Sequence, residues 1–150
     1  DQGVIIQRGA PEEIYLRPNS PFVASFLGAD NVIEAVAEPV GSRLRLMLGD
    51  GLAAEAQGVS PLSGPCIVQF RSNAVRLGGG VADAGLSLPG RITQASYPGG
   101  VYRYEIETPA GRFLVDDTTR VAVGATVEMT IPAGDMHVFP RPSGGVFPSA

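Results

Sequence analysis

Along most of the chain the apolar residues recur at every second position; near the start they do not. In "RLRLML" (43 to 48) Leu44, Leu46 and Leu48 share one face and Arg43, Arg45 and Met47 the other, which predicts a half-buried strand. "GDG" at 49 to 51 turns that strand into "LAAEAQ". "PCIVQFR" (65 to 71) sets Cys66, Val68 and Phe70 against Ile67, Gln69 and Arg71. After a glycine-rich loop, "LGGGVADAGLS" (77 to 87), residues 90 to 116 predict three strands with turns at 98 to 100 and 109 to 111. In the middle one Tyr102, Tyr104 and Ile106 oppose Arg103, Glu105 and Glu107. "TVEMTIP" (126 to 132) and "DMHVF" (135 to 139) supply the last two strands, and "GVIIQRG" (3 to 9) reads as a short buried one. About nine strands at this spacing predict a mainly β small barrel or sandwich.

Residues 9 to 31, "GAPEEIYLRPNSPFVASFLGADN", follow a different rule. Pro11 suits the first position of a helix, where its missing N–H matters least, and Glu12 and Glu13 suit the positive end of the helix dipole. Arg17 closes this helix and Pro18 stops it. Asn19 or Ser20 caps a second helix that begins at Pro21 and ends at Gly28. Phe22, Val23, Phe26 and Leu27 fall on one face, and helices this short need a partner surface to persist. Period-two alternation begins at Asn31.

Composition narrows the class. The 150 residues carry 44% apolar and 17% charged side chains, with 20 glycines and 13 prolines, as expected of a folded domain with many tight turns. The net charge of −4 argues against nucleic acid, whose affinity comes largely from Lys and Arg. No apolar run is long enough to cross a bilayer, so no direct membrane insertion is expected. The one cysteine, Cys66, cannot form an internal disulfide. The chain opens at Asp1 with neither initiator methionine nor signal peptide, as expected of a piece of a larger protein.

The opening pattern is D-x-G-x-I-x-Q-x-G-x-P-E-E-I-Y-x-x-P followed by F-V-A-x-F-L-G-x-x-N. It resembles the end of the nucleotide-binding domain in ABC-transporter ATPase subunits of the maltose, polyamine and ferric-iron importer type. That family continues into a regulatory region built on an OB-type β-barrel, the transport-associated OB (TOBE) domain. Two later stretches are similar to it: "QFRSNAVRL" (69 to 77), where the family has a strand leading into R-P-E, and "GRITQASYPGGVYRYEIET" (90 to 108). Here Ser72 and Asn73 replace the Pro-Glu. The resemblance implies three parts: residues 1–30 as the tail of the ATPase domain, 31–140 as an OB-type regulatory domain, and 141–150 as a disordered tail. It also implies that Phe22, Val23, Phe26 and Leu27 pack on an ATPase domain cut away before residue 1, and that residues 1 to 28 are less stable than the barrel.

The chemistry of catalysis is sparse. No G-x-x-x-x-G-K-[ST] occurs, so ATP and Mg²⁺ are implied only for the missing domain, and no cofactor, metal or catalytic residue is expected here. The single histidine, His137, reads as a partly buried strand residue rather than a general base. Asp116 and Asp117 read as a turn with side-chain capping. Arg71 beside Ser72 and Asn73 reads first as a solvated strand end and second as a small-anion site. Tyr97, Tyr102, Tyr104 and Phe113 are either a stacking platform or, with more weight, half core and half exposed strand face. The resemblance implies a regulatory and dimerisation module, cytoplasmic and peripheral to the inner face of the membrane. Its partners would be a second copy of itself and, through the missing domain, the permease subunits. The dimer or regulatory surface is expected around Phe70, Arg71, Ser72, Asn73, Tyr97, Tyr102 and Tyr104. The competing function is an OB module that senses a small oxyanion or sugar.

Overall fold

A computed structural model describes residues 9–57, 62–78 and 81–141. The strand expected at 3 to 9 and the tail expected at 141–150 lie almost wholly outside these residues. The two helices are α1 (Pro11–Leu16) and α2 (Pro21–Phe26). Ser20 caps α2, its Oγ accepting from the Val23 N–H at 3.2 Å. Gly28, at φ +93°, ends it: Ala29 N–H donates to Ala24 C=O at 2.9 Å and Gly28 N–H to Ser25 C=O at 3.1 Å. This pair of bonds needs a left-handed residue, which glycine adopts without strain.

Ten strands follow among the described residues: β1 (Asn31–Val40), β2 (Arg43–Gly49), β3 (Leu52–Gln57), β4 (Gly64–Phe70), β5 (Arg76–Leu77), β6 (Ala84–Ser96), β7 (Tyr102–Thr108), β8 (Gly111–Asp117), β9 (Thr126–Pro132) and β10 (His137–Pro140). They form two five-stranded sheets, ordered β10-β4-β1-β2-β3 and β5-β9-β6-β7-β8, and every pairing is antiparallel. The inward residues of both sheets, from Ile33 and Leu46 to Ile106, Val115 and Ile131, meet in one core. The architecture is mainly β and OB-like.

Three expectations change. The loop expected over 77 to 87 ends early, because Leu86, 3% exposed, faces the core and Ala84 pairs with Pro132 of β9. The two-residue β5 carries too little sequence to show a period. The apolar face of α2 does not stay whole. Val23 and Ala24 turn inward, and Ala24 packs with Ala29, Ile67 and Phe139 on the outer side of the first sheet. Phe22 and Phe26 stay exposed, at 44% and 81%. The barrel therefore supplies part of the partner surface that α2 needs, and β4 becomes buried on both faces.

Candidate functional site

Burial of both faces of β4 has a consequence at its end. Cys66, Val68 and Phe70 face the core, while Ile67, Gln69 and Arg71 face the helices. Gln69 Nε2 donates to Ser25 Oγ at 2.8 Å and to Ala29 C=O at 3.2 Å, which ties α2 to β4. Burial pushes the Cys66 thiol up to about 11, so it stays protonated and a poor nucleophile.

Arg71 is 8% exposed. Its Nε–H donates to Leu27 C=O at 3.2 Å, just past α2, and Nη2 to Tyr15 C=O at 2.6 Å, in α1. The guanidinium lies 3.6 Å from the centroid of the Tyr15 ring, a cation–π contact. Nη1 lies 3.2 Å from Nε2 of His137, which β4–β10 pairing sets opposite Gln69. Arg71 has no acceptor to offer, so His137 Nε2 must accept and carries no proton. Burial, and then the Arg71 charge, hold His137 down to about 4. Burial also lowers Arg71, while Asp135 opposes that shift. Tyr15, Arg71, Asn73, Ala74, Arg76, Gly134, Asp135 and His137 line a cleft of about 200 Å³.

The other expected site residues do not converge here. Phe70 and Tyr104 are fully buried, which corrects their place on a dimer or regulatory surface of the monomer. Phe70 packs against Phe113 at 5.3 Å between ring centroids. The Tyr104 hydroxyl donates to Thr119 C=O at 2.6 Å and accepts from Val121 N–H at 2.8 Å, pinning the loop after β8. Arg71 is neither solvated nor a partner of Ser72, whose hydroxyl donates to Asp116 at 2.7 Å instead. Asp116 is also gripped by Arg103 at 2.8 Å, and this hydrogen bond lowers its pKa; only Asp117 caps a turn, accepting from Thr119 N–H at 2.7 Å. Of the four expected aromatics, Tyr97 (60% exposed) and half-buried Tyr102 remain accessible, with ring centroids 4.9 Å apart. Tyr15, Arg76, Asp135 and His137 were not grouped by the sequence, since they come from four separate elements or turns.

Comparison with known proteins agrees with this architecture. The sequence model of the TOBE domain matches residues 70–139. These residues form a TOBE domain. Over 132 residues the chain is 32% identical to "Fe(3+) ions import ATP-binding protein FbpC" of Agrobacterium fabrum, covering 87% of this chain and 36% of that protein. The FbpC of Brucella abortus is 31% identical over 133 residues, with the same shares of 87% and 36%. "Spermidine/putrescine import ATP-binding protein PotA" of Borreliella afzelii is 28% identical over 138 residues, 92% of this chain and 38% of that one. The chain thus spans about a third of these relatives. Among solved structures, the cytoplasmic molybdate-binding protein ModG, in a form with molybdate bound, superposes with a TM-score of 0.62 at 13% identity. That match covers 74% of this chain and 96% of ModG, and carries the fold alone. The sequence alignments are longer than the TOBE domain by itself, so the likeness extends beyond residues 70–139.

Proposed function

We propose that this chain is the regulatory and dimerisation region of the ATP-binding subunit of an ABC importer, with no catalytic activity of its own. The likeness to FbpC over 87% of the chain carries the reading, because the barrel and more than the barrel align with importer subunits. In this role the domain moves no phosphate. It positions a second subunit and modulates an ATPase domain that precedes it, on the cytoplasmic side beside the permease subunits. The solute is small: ferric iron, a polyamine or a sugar. Exposed Phe22 and Phe26 suit the face of α2 turned toward the ATPase domain, their rings stacked at 6.5 Å and uncovered by the barrel. Removing residues 31–140 from the full subunit should leave ATP binding intact while uncoupling hydrolysis from transport. The isolated chain should neither bind nor turn over ATP. ATP turnover by a clean preparation of the chain, or normal coupling in the truncated subunit, would refute the reading.

A further inference from the structure

The cleft at the start of β10 holds more positive charge than the fold uses. Arg71 and Arg76 both line it, and neither pairs with a carboxylate among the described residues. Burying a guanidinium without a counter-ion is costly, and proteins ordinarily resolve it with a carboxylate or a bound anion. Arg71 directs three of its five N–H groups at Leu27 C=O, Tyr15 C=O and His137, all uncharged, and keeps two in reserve. Arg76 is exposed, and its Nη1 donates to Asn73 C=O at 2.8 Å. Among the described residues the only acid lining the cleft is Asp135, which makes no ion pair with either arginine. With His137 neutral, two guanidiniums against one carboxylate leave a single positive charge.

We infer that this cleft binds a small monocarboxylate. One negative charge completes the balance, and a planar carboxylate matches the guanidinium fork with two acceptor oxygens. A dianion would leave an excess negative charge facing Asp135. A cleft of about 200 Å³ admits an acid of a few carbon atoms and excludes a nucleotide. Asn73 also lines the cleft, so the residue at this position bears on its charge balance. A glutamate there would supply the anion from within; this chain must take it from outside. The site stands apart from the regulatory reading, because its charge balance depends on no second subunit.

The test is an NMR titration of the whole chain with acetate, lactate and sulfate at constant ionic strength in chloride, following the Arg71 Nε–H signal. Acetate or lactate should give saturable shifts and slow amide exchange in α1 and α2, because the occupied guanidinium also holds Tyr15 and Leu27. Arg76→Ala should weaken binding about tenfold, the scale of one charged hydrogen bond. Asn73→Glu should abolish binding while the amide spectrum stays folded. Three results would overturn the site: no saturable shift with either carboxylate, binding unchanged in Asn73→Glu, or sulfate binding as tightly as acetate.

Discussion

At the scale of single residues, the buried polar groups set how stability responds to pH. In an unfolded chain a histidine titrates near 6.5; in this fold His137 is held to about 4, chiefly by burial and then by Arg71. Because the folded value is the lower one, the unfolded chain takes up the proton first. The stabilisation is therefore complete above about 6.5 and is lost as pH falls toward 4. Its upper size is about 3 kcal/mol. Burial and Arg71 disfavour the protonated ring, and the other charged groups lining the cleft, Arg76 and Asp135, are of opposite sign. Asp116 and Asp83 are held below their usual 3.8, so their contribution disappears only in more acid solution. Urea midpoints between pH 7 and 4.5 should fall for the native chain, and His137→Gln should flatten the profile. An equal slope in both would remove the argument. Packing makes a second demand at this scale. A methyl group on Gly85 would collide with Met136, with the Glu55 carbonyl and with Ala133 Cα at 2.7 Å. Two of these atoms are backbone and cannot swing aside, so Gly85→Ala should cost about 1–3 kcal/mol by thermal unfolding. Gly90→Ala should cost less, since its nearest obstacles are side-chain methyls of Ile106 and Thr108.

At the scale of elements, the alternation of β2 and β7 was legible because one face of each meets water and the other meets the core. The second face of β4 was not legible in the same way. "PCIVQFR" alternates, yet every residue from Cys66 to Arg71 is buried, because α1 and α2 close over its outer side. Local periodicity cannot report a cover supplied by residues some 45 positions away, so the alternation alone makes Arg71 a solvated strand end where the fold buries it. The same contacts revise the expectation of loosely held helices. Arg71 joins α1 and the end of α2 to the barrel, Gln69 adds two bonds to the α2 region, and Ala24 packs on Ile67. Arg71→Ala should remove the shared anchor at a cost of about 2–4 kcal/mol. Hydrogen exchange should then show α1 and α2 opening independently of β4 and β7, whereas the native helices open only a little before the strands. Exchange in α2 that Arg71→Ala leaves unchanged would mean that apolar packing alone holds the helices.

At the scale of the whole molecule, the question is what remains free to meet a second copy. The sheet edges are β10, β3, β5 and β8, and each is blunted. β10 is four residues long and ends at Pro140, β5 is two residues long, and the Glu55 carbonyl of β3 lies against β6 at Gly85. Along β8 the Asn31 side chain takes both backbone groups of Leu114, accepting from its N–H at 2.9 Å and donating to its C=O at 2.8 Å. Addition of a strand is thus discouraged, and association is expected through side chains. Phe70 cannot provide them, so Phe70→Glu should abolish folding rather than weaken a dimer. Among the described residues three accessible apolar pairs are left: Tyr97 with Tyr102, Phe22 with Phe26, and Val36 with Met47, which face each other across β1 and β2. If the domain itself dimerises, sedimentation velocity should show a concentration-dependent dimer that Tyr97→Glu dissociates and Phe26→Glu preserves. The reverse pattern would assign the association to the uncovered face of α2, the face proposed to meet the ATPase domain, and the tyrosine patch would lose its role as the dimer surface.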